Sequence, residues 1–482
     1  MSFMSPTLIR RCRRPLALGV ACALVLPWAA QAQTGTPPAT NAATTSAREQ
    51  QLEQRVDQLE QELAQLKQMI QAQKQQAASP PAPAAPARNV AAAPASSSRP
   101  VFTSAPGVSV ALHGFISASA FSQNKSFAYG NGQNAEYPVA GGSNGSLSGV
   151  DVRNTRFWLD FSGARLTGDW IGGGRIEMDF FGGYNGTGAY SQQQPTPRLR
   201  QAYMELTNPD TGSTIRIGQQ WELLFPLDNV TASLSHIAFP LGFGTGMIGW
   251  RFPGVVWMQD LNHGSDGVKW RLDLGAFEGS WNGPDGAVNN TNYLTAGNAG
   301  FRPQLEARLH AQGGNWLAYA VAHYSEVDLR GVGGTAPTPV QSSVKSVGYE
   351  LGGQWKPGPW VFRANAYTGK GLGEVFGDLS QFGDIKDTGG YLQAGYNFTP
   401  NWSLNALYAT SKLNRDDVVR WMGNGSTGLL RGRQTGLNLD YAAGNYELGL
   451  EWLYGWLDST SNGTNTRTSS GNQVSVSALY HF

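Results

Sequence analysis

The chain has 482 residues, a formal net charge of +1 and 14% charged side chains, far below the roughly 25% of soluble globular proteins. This balance gives no basis for binding nucleic acid, and no stretch approaches the ~20 consecutive apolar residues of a membrane-spanning helix. Both cysteines, Cys12 and Cys22, lie near the N-terminus, so the rest of the chain holds no disulfide and no thiolate metal site, and no cofactor is expected.

In chain order, Arg10, Arg11, Arg13 and Arg14 precede a short apolar run, Leu16 to Trp28, and the small-residue string Ala30-Gln31-Ala32. This is a secretory signal pattern over residues 1–32, with cleavage before Gln33. Residues 33–76 then carry a coiled-coil seam: Leu52, Val56, Leu59, Leu63, Leu66 and Ile70 recur at alternating spacings of four and three. With Leu52 at a d position, Arg55 faces Glu60 and Glu62 faces Lys67 across a parallel, in-register bundle, and Arg55 to Glu60 is similar to short trimer-specifying motifs. A homotrimer is therefore expected, with a short α-helical coil that could also grip a periplasmic or cell-wall partner. Residues 77–106 contain seven prolines among Ala and Ser, the composition of an extended spacer.

From residue 107 to 482 the chain is Gly-rich and aromatic, without helical periodicity. Amphipathic segments recur near 109–121, 153–162, 171–181, 197–206, 213–220, 247–258, 267–278, 302–311, 315–326, 344–355, 360–369, 388–398, 402–412, 433–441, 446–457 and 473–482. Sixteen is an even number, as a closed antiparallel barrel of a bacterial outer membrane requires. Long and short connections alternate: Gln312-Gly313-Gly314, Lys356 to Pro359, Thr399-Pro400-Asn401 and Ala442 to Asn445 are tight turns, whereas 122–152, 182–196, 221–246, 279–301, 327–343, 370–387, 413–432 and 458–472 are long. That alternation is the arrangement of periplasmic turns and extracellular loops. The last strand places Val474, Val476, Ala478, Tyr480 and Phe482 on one face and ends on an aromatic, as a strand that closes against the first one does. The predicted fold is all-β: a 16-stranded antiparallel transmembrane β-barrel preceded by a periplasmic coil, surrounded by outer-membrane lipid and lipopolysaccharide.

Parity assigns the faces. Phe157, Leu159 and Phe161 point to lipid, with Arg156, Trp158 and Asp160 inward; Ile176, Met178 and Phe180 oppose Arg175, Glu177 and Asp179; Trp270, Leu272 and Leu274 oppose Lys269, Arg271 and Asp273. A lumen of sixteen strands is too wide for side chains alone to fill. The connection 221–246, apolar and bearing Glu222 and Asp228, is the candidate for an inward-folded constriction loop. Arg156, Arg175, Arg216, Lys269 and Arg271 are candidate pore cations, since guanidinium groups suit carboxylates and a charged lumen focuses counter-ions. Arg198 and Arg200 share parity with Ala202, Met204 and Leu206, so they can face inward only at a strand end or past a bulge. The barrel segment holds 25 Lys and Arg against 29 Asp and Glu, so any anion preference must come from local arrangement, and the same bases could equally be simple lumen ion pairs.

The order of Leu112 to Ile116, Arg175 to Phe181, Arg198 to Tyr203 and Gly218-Gln219-Gln220-Trp221 resembles the DcaP-like trimeric porins. The resemblance implies passive uptake of small anions, dicarboxylates among them, through an arginine-rich constriction. The rival readings are a non-specific porin, a barrel-anchored envelope tether or adhesin, and a barrel enzyme. The last is disfavoured because His113, His236, His263, His310, His323 and His481 stand beside no nucleophile motif.

Overall fold

The computed structural model describes residues 101–482 except 106, 126, 128–136, 140–145, 167, 184–194, 227–228, 231–244, 263–266, 279–302, 329–342, 375–378, 380–382 and 423–425. The predicted signal segment, the coiled coil and the linker up to residue 100 lie outside the described residues, as does Asp228. The strands are β1 (Val101–Ala105), β2 (Val108–Gln123), β3 (Leu147–Asp151), β4 (Arg156–Arg165), β5 (Ile171–Asp179), β6 (Arg198–Asn208), β7 (Ser213–Trp221), β8 (Arg251–Asp260) and β9 (Lys269–Phe277). They continue as β10 (Gln304–Gln312), β11 (Trp316–Asp328), β12 (Ser343–Trp355), β13 (Trp360–Lys370), β14 (Lys386–Asn397), β15 (Trp402–Leu413), β16 (Leu429–Ala443), β17 (Tyr446–Ser459) and β18 (Arg467–His481). A helix, α1 (Arg415–Trp421), lies in the loop before β16.

Each strand from β4 onward pairs antiparallel with the next, and β18 closes the ring on β2 from His481 opposite Phe115 to Gln473 opposite Gln123. β3 and β4 form one stave: β4 pairs the first half of β2 and β3 the second half. The break between them is bridged where the Ser117 amide donates to Thr155 Oγ1 at 3.1 Å. The barrel therefore has sixteen staves, as the alternation of segments predicts. Closure leaves no free edge, which lets a chain without disulfides hold by pairing alone.

Parity holds on the outward face. Ile116, Ile176, Met204, Tyr349, Leu351, Leu392, Leu450 and Val476 all stand exposed and apolar, a belt stable against lipid. Aromatic pairs gather at the short-turn end: Trp360 with Tyr396 (4.7 Å between ring centres), Trp402 with Tyr441 (4.8 Å) and Tyr446 with Tyr480 (4.9 Å). These form one of the two aromatic girdles expected of such a barrel.

Four expectations need correction. β1 falls inside the stretch expected to be linker, because Ala105 opposite Val108 makes a tight hairpin that adds Val101–Ala105 to β2. The sixth stave begins at Arg251 rather than near 247, since Met247 and Ile248 are buried as part of the preceding loop. The last stave starts at Arg467, six residues early, extending its ladder with β17. α1 was not foreseen, although Asn414 caps it by accepting from the Asp417 amide at 3.0 Å and Asp416 and Asp417 fill its first turn.

The inner face is also less uniform than parity alone implies. Phe252, Val256, Phe277, Tyr319, Val321 and Tyr367 are apolar and point inward on β8 to β13. They are covered, together with Leu372, by Leu223, Leu224 and Ile248 of the 222–250 connection. A second inward cluster near the long-loop end joins Tyr137, Leu379, Val418 and Trp421 to wall residues from β12 to β17.

Candidate functional site

The described residues of the connection between β7 and β8 (222–226, 229–230 and 245–250) lie inside the barrel against the inner wall of β8 to β15. Its two ends are zipped by the Glu222 amide, which donates to the Trp250 carbonyl at 3.0 Å. Farther on, Asn229 Nδ2 donates to the Ala364 carbonyl on β13 at 2.7 Å, and Tyr391 of β14 donates its hydroxyl to the Asn229 carbonyl. Val230 packs with Phe225, Met247, Tyr391, Leu407 and Ala409. Gly246, at φ 85°, passes so near β14 that a Cβ there would come within 2.4 Å of the Gly390 carbonyl oxygen. The loop's apolar composition thus has a structural cause: it covers a hydrophobic wall inside the barrel.

The staves before the loop carry basic side chains. Arg175 on β5 forks onto Asp160 on β4 at 2.7 and 2.9 Å and lies over the Trp158 ring, which stacks on His113. A bulge resolves the parity conflict of β6: Glu177 pairs with Gln201 but Met178 with Leu199, so Arg200 is skipped. Leu199 and Met204 both face out, five residues apart, while Arg200 turns inward. Arg200 then reaches Glu177 at 2.5 Å and Asp179 at 2.7 Å, Arg198 forks onto Asp179 at 2.7 and 3.0 Å, and Arg156 stands 3.7 Å from Glu177. Arg216 pairs with Glu205 at 2.6 Å over the Tyr203 ring.

Arg251 completes this set and escaped the sequence reading. It shares parity with the outward Val255 and Trp257, yet it sits at the hinge where the loop rejoins the wall and is buried. Its guanidinium lies 4.2 Å from the Trp250 ring centre and 4.7 Å from that of Trp221, and its Nε and Nη1 make no hydrogen bond. Trp221 stacks on Phe225 at 3.8 Å, tying the same cluster to the loop root. Arg153, in the break between β3 and β4, pairs with Asp151 at 2.6 Å. Within this group seven guanidinium groups stand with five carboxylates, although over the whole stretch 151–251 nine acids outnumber eight arginines, so any cationic excess is confined to the group itself.

The other candidates lie apart from this group. Arg271 binds Asp273 at 2.8 Å on its own strand, and Arg308 of β10 binds the same carboxylate at 2.9 Å, which makes a wall ion triad. Lys269 is exposed at the short-turn end of β9. Glu222 is buried at the loop root, where its Oε1 accepts from the Trp250 amide at 2.7 Å. Closure also aligns Ser346 Oγ, His323 and Glu306 at 3.0 Å steps, an order that three separate strands supply and no sequence motif announces. Ser346 is wholly buried, so no substrate carbonyl could approach it.

A closed barrel of sixteen staves with an internally folded loop after the fifth has the architecture of the porins. The whole barrel superposes on the outer-membrane channel DcaP of Acinetobacter baumannii with a TM-score of 0.59, at 19% identity, over 79% of this chain and 99% of that one. The resemblance read from the sequence is thereby met at the level of fold. An anion-selective porin from Comamonas acidovorans (TM-score 0.49, 14% identity, 78% of this chain and 100% of that one) and OmpT, an outer-membrane protein of Vibrio cholerae (0.48, 12%, 79% and 99%), are more distant. No protein-family model matches the chain, and no curated protein matches it by sequence.

Proposed function

We propose that this protein is an outer-membrane porin that passes small hydrophilic solutes passively and favours small anions such as dicarboxylates. The observation that carries this reading is the placement of Arg251. It is a buried guanidinium with two unused nitrogens, held between Trp221 and Trp250 at the root of the internal loop and beside the paired arginines of β5 and β6. Its free nitrogens are shielded from solvent, so it acts on a carboxylate in the lumen through its field, while the partly exposed forks of Arg175, Arg198 and Arg216 offer the planar geometry that a carboxylate requires. Arg156, Arg175, Arg198, Arg200 and Arg216 would supply the surrounding field; Arg271 and Lys269 contribute less in this reading, being spent on Asp273 or set at the barrel end.

The same reading makes the functional unit a trimer held by the coil at Leu52 to Ile70 and by apolar barrel walls, with the coil in the periplasm. A tether role for the coil is compatible with it, whereas catalysis has no part in it.

Planar-bilayer recording tests the proposal. A salt gradient should give a reversal potential on the anion side, and a small dicarboxylate should reduce single-channel current in a concentration-dependent way. A silent barrel would leave only the anchor reading, and a conducting but cation-preferring one would remove the anion preference.

A further inference from the structure

The root of the internal loop meets the wall in a cluster that the pore does not use. Glu222 follows β7, Gln304 and Glu306 lie on β10, and His323 lies on β11; all four are at least nine-tenths buried. One ligand atom from each of Glu222, Glu306 and His323 falls within 4.8 Å of the others. Two carboxylates brought this close inside a wall cannot both carry charge without a counter-ion.

The outer contacts are those of a prepared site. Glu306 Oε2 accepts from the Leu223 amide at 2.6 Å and Glu222 Oε1 from the Trp250 amide at 2.7 Å, which fixes each carboxylate and leaves its other oxygen facing the centre. His323 turns Nδ1 toward Glu306 at 3.0 Å, while Nε2 lies 3.0 Å from Ser346 Oγ. A metal-bound imidazole has its other nitrogen held in this way, so that the tautomer is fixed.

Gln304 supplies an independent observation. Its Nε2 donates to both Glu222 Oε2 and Glu306 Oε1, while its fully buried Oε1 has no partner. A side-chain amide can turn over in place, exchanging its nitrogen and oxygen, and its orientation follows the charge of its neighbours. With a cation at the centre the amide turns over: the orphaned oxygen becomes a ligand, and the carboxylates no longer need the amide as donor.

We infer that Glu222, Glu306, His323 and the Gln304 amide oxygen form a binding site for one divalent transition cation of the zinc class, which fastens the internal loop to the barrel wall. Two carboxylates, one imidazole and one neutral oxygen suit such an ion, and the two negative charges balance its two positive ones. A tetrahedral zinc with bonds near 2.1 Å keeps its ligand atoms about 3.4 Å apart, a contraction that rotation of the side chains supplies. The absence of cysteine beyond Cys22 argues only against thiolate sites and leaves this donor set untouched. The inference is independent of which solute the pore passes.

The test uses the full-length protein in detergent, stripped with a chelator, dialysed and then reloaded with zinc chloride. Atomic absorption should return about one zinc per chain, and X-ray absorption should show one nitrogen and several oxygens near 2.0–2.2 Å. Glu306→Gln and His323→Gln, which keep shape and lose ligation, should each weaken zinc binding by more than about a hundredfold, and Ser346→Ala by about tenfold through the freed imidazole. Asp384→Asn, an acid near the long-loop end that pairs with Arg420, should change nothing. Reloaded wild-type barrel holding under about 0.1 zinc per chain overturns the inference and leaves a proton shared between the carboxylates. Uptake that Glu306→Gln does not alter overturns it equally. If either variant fails to give a heat-modifiable barrel, the stoichiometry and absorption spectrum of the wild type decide alone.

Discussion

The guanidinium of Arg251 lies 4.2 Å above the ring of Trp250, its immediate neighbour in sequence, and the pair sits where the internal loop rejoins the wall. A desolvated cation over an indole is worth about 2 kcal/mol, so the arginine is held in place without spending its hydrogen-bond donors. Its two free nitrogens are shielded from solvent, so in the proposed reading the cation acts on a solute through its field.

Arg251→Gln should therefore move the reversal potential under a salt gradient toward cations more than Arg216→Ala does, because Arg216 is already matched by Glu205 at 2.6 Å. The difference should shrink at high salt, as the Debye length falls from about 10 Å at 0.1 M to about 3 Å at 1 M. Equal shifts from the two variants would place the selectivity elsewhere.

Removing Arg156, Arg175 and Arg271 together should lower uptake of a small dicarboxylate by a larger factor than uptake of a neutral sugar of similar size. Most of that loss should come from Arg156 and Arg175, whose partners lie among the arginine-bearing staves. A triple variant that discriminates as well as the parent would reduce these bases to structural ion pairs.

Arg200→Ala strips a buried base from between Glu177 and Asp179, leaving Arg156 and Arg198 to serve both acids. Breaking a buried ion pair typically costs about 3 kcal/mol or more. Urea unfolding of the refolded barrel should show a loss of that order, and no measurable change would mean that the cluster is wetter than its burial implies.

Adding a side chain at Gly246 should lift the loop from β14, since even a Cβ would strike the Gly390 carbonyl oxygen. Gly246→Val should raise single-channel conductance and its noise for anions and cations alike. Conductance equal to the parent would mean that the loop does not set the pore width.

The closing strand makes a fourth kind of test. Phe482 and Gly114 exchange both backbone hydrogen bonds, at 3.0 and 3.2 Å, and the Phe482 ring packs where a Gly114 side chain would stand. Phe482→Asp and Gly114→Val should each reduce the amount of heat-modifiable barrel in the outer membrane. For assembly, deleting residues 33–100 while keeping β1 should weaken the proposed trimer without unfolding the barrel, which native mass spectrometry would read directly.

The strands were legible one by one because a lipid-facing barrel repeats the same demand every second residue. Leu448, Leu450 and Trp452 opposite Glu447 and Glu451, or Ile176 opposite Arg175 and Glu177, declare their faces without knowledge of any neighbour. The even count, the alternation of long and short connections and the closing strand follow from the same local pattern. The inward turn of Arg198 and Arg200 was legible only as a condition, since a bulge changes parity without leaving a residue type that marks it.

What tertiary structure decided was everything that depends on closure. The Leu223 amide meets Glu306 across 83 positions of sequence, and Tyr391 meets Asn229 across 162. No periodicity encodes such pairs, because they exist only once the ring has brought distant staves to one lumen. Closure also explains why Phe252, Val256, Phe277, Tyr319, Val321 and Tyr367 are apolar though they point inward: the loop residues lying on them, not water, are their neighbours. The sequence by itself determined which side chains meet lipid, a choice each strand makes alone. The fold alone determined which of the remaining side chains meet one another, and with it the site.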